Sequence, residues 1–141
     1  MCWWDECEYL VEDCFNGCIS LSQINLPNCQ VIESRAFYGC KSLKSLVLLS
    51  CTSVFKEAFR NSGIEDIDLR NCLYIANNVF TSSNLKRIKL SNKLKELDTI
   101  FQNTVIDYYT DDDLEPFKNT KFRGDGYERL LNNNKIIVHR I

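Results

Sequence analysis

The sequence predicts an α/β-type repeat solenoid with a ladder of parallel strands, and three recurring features predict it. A Phe returns every 21 or 22 residues, at Phe15, Phe37, Phe59, Phe80 and Phe101. A small or aliphatic residue precedes each Phe, namely Cys14, Ala36, Ala58, Val79 and Ile100. An apolar triplet spaced like Leu43, Leu46 and Leu48 follows each of the first four. Self-similarity at a fixed short period is typical of solenoids.

The register divides the chain into a solenoid over 1–110 and a cap over 111–141. Residues 1–14 are the tail of a partial repeat, because Trp4, Cys7 and Leu10 lie 22 residues before Leu26, Cys29 and Ile32. Residues 15–100 hold four full repeats, and 101–110 supplies a fifth strand. Because the open end of a solenoid needs covering, we expect 111–141 to form a C-terminal cap with a short helix after Asp113 and a strand over 135–139.

Within each repeat, the apolar triplet predicts a short strand, because its last residues alternate with a period of two. Turn signals follow, such as Pro27-Asn28 and Asn71, and then a second apolar point at Ile32, Val54 or Ile75. We expect irregular or short helical return segments between that point and the next strand. Gly17, Gly39 and Gly63 are expected to serve tight turns there.

Opposite charges fall next to each other when the strands are stacked in register. The outward positions of the third strand are Glu65, Asp66 and Asp68, and 21 residues later they are Lys86, Arg87 and Lys89. Either block alone could suggest an ion or nucleic-acid site. Together they favour mutual neutralisation that fixes the alignment of the strands, since exposed pairs contribute only about 0.2–1 kcal/mol each.

Most of the eight cysteines follow the repeat. Cys7, Cys29, Cys51 and Cys72 share one phase, and Cys18 and Cys40 share another. Recurrence in phase predicts reduced, buried, stacked thiols. A zinc site formed by Cys2, Cys7, Cys14 and Cys18 is the alternative, but their spacings of 5, 7 and 4 lack the paired short knuckles of structural zinc sites. We therefore expect neither a metal nor a cofactor.

Composition excludes several classes of protein. A formal net charge of −2 gives no field that would attract nucleic acid or an anionic membrane. No apolar run approaches the ~18 residues of a membrane-spanning helix. The first residues, MCWWDECEYLVEDCF, lack the basic and apolar regions of a signal peptide, so we expect a cytoplasmic location, with the cell surface as the alternative.

The segment Phe37-Tyr38-Gly39-Cys40-Lys41-Ser42-Leu43-Lys44-Ser45-Leu46 and its 22-residue setting resemble the BspA-like leucine-rich repeats. The resemblance covers residues 4–109. It implies a leucine-rich repeat solenoid whose relatives, in bacteria and parasitic protists, act by binding host matrix proteins and other cells. It implies no catalytic residues. The chain is short for such a surface protein.

The sequence contains no catalytic motif, and its one histidine, His139, stands in the predicted terminal strand, so we expect no enzyme. Two interaction roles remain: an intracellular scaffold or subunit of a larger assembly, and a surface adhesin that binds extracellular ligands. Exposed residues of the strand face and of the N-terminal end are the candidate protein-binding set: Trp3, Trp4, Gln23, Asn25, Ser45, Val47, Asp66, Asp68, Arg87, Lys89, Tyr108 and Thr110.

Overall fold

The structure, a computed structural model, describes residues 3–91, 93–94 and 137–140. Over these residues the chain winds as a β-solenoid of about four turns, with two parallel sheets on its sides. The predicted solenoid and its parallel ladder are confirmed. The fifth strand at 101–110 and most of the cap at 111–141 lie outside the described residues.

The main sheet carries the apolar triplets. It contains β3 (Ser45–Val47), β5 (Asp66–Leu69), β7 (Arg87–Leu90) and β8 (Ile137–Arg140), in the order β3-β5-β7-β8. The register joins Leu46, Ile67 and Ile88 across the strands, so the inward side chains stack one above the other and are buried. The predicted terminal strand over 135–139 is observed as β8, which pairs in parallel with β7.

The return side of the solenoid is a second sheet, which the sequence analysis did not predict. The return sheet contains β1 (Tyr9–Leu10), β2 (Val31–Ile32), β4 (Ser53–Val54) and β6 (Tyr74–Ile75), in the order β1-β2-β4-β6. The described residues contain no α-helix, so the expectation of helical returns was wrong there. The physical reason is that alternate return N–H groups bond between turns, as from Phe37 to Ala58 O (2.8 Å). The N–H groups between them close local turns, as from Ala36 to Glu33 O (3.2 Å), so no continuous helix forms.

The first turn departs from the predicted register. Trp3–Glu6 is a 3₁₀ helix where 22-residue counting places the end of a strand at Trp4. Without an extended neighbour on that side, residues 21–26 form no regular strand, although Ile24 and Leu26 are buried and Asn25 is exposed. The side-chain alternation of the repeat therefore persists where the regular ladder does not.

A stacked aromatic column and a ladder of thiols fill the core. The rings of Phe15, Phe37, Phe59 and Phe80 stack with centroid distances of 5.5, 5.2 and 5.8 Å and are within 11° of parallel. Each in-phase thiol donates to the carbonyl oxygen two residues later: Cys7 to Tyr9, Cys29 to Val31, Cys51 to Ser53 and Cys72 to Tyr74, at 3.2–3.4 Å. Repetition of this bond explains why Cys recurs at that position.

The predicted role of glycine is confirmed at two positions and wrong at the third. Gly17 and Gly39 have φ of 76° and 72°, and the next residues in that phase, Asn61 and Ser82, are also left-handed. Gly63 lies two residues later in the repeat and is needed for close packing, because a Cβ there would meet the carbonyl oxygen of Lys41 at 2.0 Å.

Candidate functional site

The outer face of the main sheet presents two columns of side chains across its strands. Parallel pairing aligns Ser45, Asp66 and Arg87 in one column, and Val47, Asp68 and Lys89 in the other. Gln23 and Asn25 extend the face into the preceding turn and are exposed. The strand alternation that buries Leu46, Ile67 and Ile88 forces these neighbours outward, as predicted. We call these two columns the strand face.

Ion pairs run across the strand face as the charge pattern predicts. Arg87 Nε lies 3.1 Å from Asp66 Oδ2, and Lys86 Nζ lies 3.5 Å from Glu65 Oε1. Lys44 Nζ reaches the same carboxylate of Glu65 from the other side at 4.0 Å. These side chains are 37–65% exposed, so the pairs fix the register and contribute little stability. The acidic and basic blocks therefore neutralise each other.

Asp68 departs from its predicted exposure, because its residue is only 8% exposed. The cause is Arg70, whose guanidinium folds over the carboxylate at 2.6 Å and whose backbone N–H also donates to it. Desolvation by burial would raise the pKa of Asp68, but the hydrogen bonds from Arg70 and the charges of Arg70 and Lys89 outweigh it and lower the pKa. Asp68 thus supports the strand face more than it presents a free charge.

Val47 is the most prominent apolar side chain on this face. Its residue is 57% exposed, with Asn25 in the same column before it and Asp68 after it. An exposed aliphatic side chain surrounded by polar neighbours has the composition of an interface centre with a polar rim. Leu49, two residues after Val47 in the chain, is also exposed, at 46%.

Four of the predicted site residues are not part of the strand face. Trp3 and Trp4 lie in the 3₁₀ helix of the first turn, away from the strands β3, β5 and β7 in the chain. Tyr108 and Thr110 lie outside the described residues. Nothing in the structure tests whether any of the candidate residues binds a partner, so the binding set stays a prediction.

Sequence analysis missed the exposed apolar residues of the return sheet. Tyr9 and Tyr74 occupy equivalent positions of the repeat and are 51% and 50% exposed. The ring of Tyr74 packs against that of Phe55, with a distance of 5.4 Å between the ring centroids. Leu73, next to Tyr74, is 58% exposed. The signal that could have found them is the tyrosine recurring in phase beside the second apolar point.

The cysteines show how burial controls their chemistry. Burial raises the pKa of Cys29 to about 12 and that of Cys40 to about 11. Interaction with the neighbouring Cys72 thiol, together with burial, raises the pKa of Cys51. Cys14 is exposed, unlike the buried Ala36 and Ala58 in its phase, because the first turn has a neighbour on one side only. Cys2 lies outside the described residues.

Within the described part of the chain, no three His, Cys, Asp or Glu side chains come together in a way that could hold a metal ion. The same residues include no helix long and apolar enough to cross a membrane. The strand face, with its exposed Val47 and its ion pairs, is the candidate functional site.

A family model described as BspA type leucine-rich repeat region matches residues 8–126 in six copies. The matched range includes every described strand except β8. Comparisons with curated proteins and with solved structures found no match.

Proposed function

The chain belongs to the BspA-type leucine-rich repeat family, and on this basis we propose that it is a protein-interaction module that works without catalysis. Repeat domains of this kind generally bind other proteins, and they do so through extended surfaces that stacked repeats create. The finer proposal is an intracellular scaffold or accessory subunit that binds its partner through the strand face.

The exposed Val47 on a rigid ladder is the observation that carries this proposal. Its strand is paired to β5, and the inward neighbours Leu46 and Leu48 are 3% and 0% exposed, so the backbone beneath Val47 is held in place. A preorganised surface loses little conformational entropy when it binds. The paired charges beside it offer hydrogen-bonding groups with defined positions for a polar rim.

The hydrogen bonds that the buried thiols donate support an intracellular setting. Cys29, Cys51 and Cys72 each donate a hydrogen bond that requires the reduced form. Reduced thiols persist in the cytosol, whereas oxidising compartments favour disulfides. An adhesin role is the competing proposal, and it rests on the binding properties that the family resemblance implies.

The test places a photo-crosslinking amino acid at position 47 and, as the control, at position 19, where Ile19 is 65% exposed in the turn before residues 21–26. We expect a protein from the native organism's lysate to crosslink at position 47 and not at 19. We also expect Val47→Glu, but not Ile19→Glu, to abolish capture of that protein. Equal crosslinking at both positions would contradict the strand-face proposal.

The same probe separates the two roles. Crosslinking to matrix proteins or intact cell surfaces, with none in lysate, would move the protein to the adhesin class. A parallel pull-down with Trp3→Ser and Trp4→Ser combined tests the N-terminal end. Loss of the partner in that variant, with Val47→Glu still binding, would assign the contact to the first turn instead.

A further inference from the structure

Charge is strongly separated along the solenoid, although the whole chain is nearly neutral. Residues 1–14 contain five acids and no base: Asp5, Glu6, Glu8, Glu12 and Asp13. Residues 80–94 contain four bases and no acid: Lys86, Arg87, Lys89 and Lys93. The two segments belong to the first turn and the fourth turn, so opposite charges stand at different levels of the same stack.

The first turn is only partly neutralised by its neighbours. Arg35 reaches back to pair with Glu12 at 2.8 Å and with Asp13 at 2.9 Å, and the hydrogen bonds from Arg35 and Asn16 lower the pKa of Asp13 to about 2. Asp5, Glu6 and Glu8 are exposed and have no ion pair within the described residues.

The fourth turn has the complementary excess. Lys86 and Arg87 pair with Glu65 and Asp66, yet their side chains stay 65% and 60% exposed. Lys93 is exposed, and neither it nor Lys89 has an ion pair within the described part of the chain. A negative surface that met this turn would therefore find four cationic side chains, two of them without a carboxylate partner.

Apolar side chains stand beside the acids of the first turn. Tyr9 lies in β1 and Val11 follows the strand directly, and the two residues are 51% and 55% exposed. The Tyr9 hydroxyl donates to the carboxylate of Glu33, which holds the ring in place and raises the pKa of Tyr9. An ordered aromatic ring with charged neighbours has the character of an interface anchor.

We propose that the first-turn surface (Asp5, Glu6, Glu8, Tyr9 and Val11) binds the fourth-turn surface (Lys86, Arg87, Lys89 and Lys93) of a second copy of this chain. Charge complementarity selects the second copy. Within the described residues, one chain carries exposed acids without an ion pair (Asp5, Glu6 and Glu8) and bases without one (Lys89 and Lys93). The two surfaces differ, so the contact is heterologous and each copy keeps one free surface for the next. This self-association does not rest on the function proposed above, although Arg87 and Lys89 also belong to the strand face.

Sedimentation equilibrium of the full chain at two salt concentrations is the first test. Screening acts over ~30 Å at about 0.01 M salt and ~3 Å at about 1 M, so charge-driven association must weaken between them. In low salt we expect a weight-average mass above 16.4 kDa that rises with protein concentration, returning to 16.4 kDa in high salt. A mass of 16.4 kDa at all concentrations in low salt would overturn the proposal.

Charge-swapped variants identify the surfaces. The head variant combines Asp5→Lys with Glu8→Lys, and the tail variant combines Lys86→Glu with Lys93→Glu. The control for the tail variant is Lys41→Glu with Lys56→Glu, which makes the same charge change at exposed lysines of the middle turns. We expect the head and tail variants to be monomers separately and to co-assemble when mixed, because each surface then meets one of opposite charge. We expect the control to associate like the wild type.

Two results would contradict these surfaces: head and tail variants that associate separately, or a mixture that does not associate. Unfolding transitions in high salt show that each variant is folded. Should the tail variant not fold, carbodiimide cross-linking of a mixture of isotope-labelled and unlabelled wild-type chains decides the question. Links between chains that join acids of 5–13 to lysines of 86–93 are required, and their absence would overturn the proposal.

Discussion

Replacing Phe59 by Ala tests whether the aromatic column holds the turns together. Phe59 is fully buried, and its ring stacks between Phe37 at 5.2 Å and Phe80 at 5.8 Å. Its removal creates a cavity and deletes two stacking contacts at once. The matched control is Phe15→Ala, because Phe15 is half-buried and its ring stacks on that of Phe37 at the outer part of the column, with a centroid distance of 5.5 Å.

Phe59→Ala and Phe15→Ala are expected to lower the free energy of unfolding by clearly different amounts. Phe→Ala in a core costs about 3–5 kcal/mol, and a stacked aromatic pair contributes ~0.5–1.5 kcal/mol beyond burial, so we expect Phe59→Ala to lose about 4–5 kcal/mol. Phe15→Ala removes about half of a buried side chain's contribution and should lose about 1–2 kcal/mol. Since natural domains are stable by only about 5–15 kcal/mol, the central change should leave the solenoid marginally folded.

Urea unfolding, followed by circular dichroism, measures both losses. The slope of the free energy of unfolding against urea concentration should be equal in the two variants and the wild type. A changed slope would mean that the turns no longer unfold together. Phe59→Leu keeps aliphatic bulk without a ring and should lose about 1–2 kcal/mol. If Phe59→Ala cost no more than Phe15→Ala, the column would not be what couples the turns.

Four further predictions follow from particular contacts. Ser82→Gly should raise the free energy of unfolding by about 0.5–1 kcal/mol, because removing the strain of a left-handed φ of 58° outweighs the entropic cost of Gly. The control, Ser20→Gly, changes a position without positive φ and should lower the free energy of unfolding. Gly63→Ala should destabilise by more than about 2 kcal/mol in urea unfolding, since its Cβ would meet the Lys41 carbonyl, while Gly17→Asn should cost little because Asn61 holds the same left-handed position. The lowered pKa of Asp68 means that its stabilisation is present above the unfolded pKa of ~3.9 and is lost as pH falls toward the folded pKa, so thermal unfolding of Asp68→Asn should depend less on pH below about pH 4. A thiol reagent at neutral pH should modify Cys14 much faster than Cys29, Cys51 or Cys72, and rapid native labelling of those three would contradict their buried, hydrogen-bonded state.

The sequence could predict those contacts whose residues recur once per repeat. The stacked Phe rings, the buried thiols and the Arg87–Asp66 pair all follow from one register of 21 or 22 residues. Stacking brings residues one repeat apart into contact, so a periodic sequence contains its own contact map. For the same reason the outward positions of the strand face could be assigned by alternation, with Asp68 as the exception.

What the sequence could not predict depends on single side chains or on very short elements. Two-residue strands such as Val31–Ile32 are too short to show a period, so the return sheet was missed. The burial of Asp68 depends on the direction taken by the Arg70 side chain, and no arginine recurs at that position of the repeat, which holds Leu49 before it and Ser91 after it. Gly63 differs from Gly17 and Gly39 only by its place in the turn, and close approach to Lys41 becomes visible only in three dimensions.

In the main sheet, the inward column of side chains is fixed by the packing of the core. The outward column is free to vary, so it can specify which partner binds. The inward column holds Ile24, Leu46, Ile67 and Ile88, so packing restricts it to branched aliphatic residues. The outward column beside it holds Asn25, Val47, Asp68 and Lys89, four different chemistries that stacking does not require. Because Val47 is 57% exposed, Val47→Glu should change the free energy of unfolding by less than about 0.5 kcal/mol while removing the apolar centre of the strand face. A loss of binding without a loss of stability is therefore what distinguishes a recognition residue here from a residue of the solenoid core.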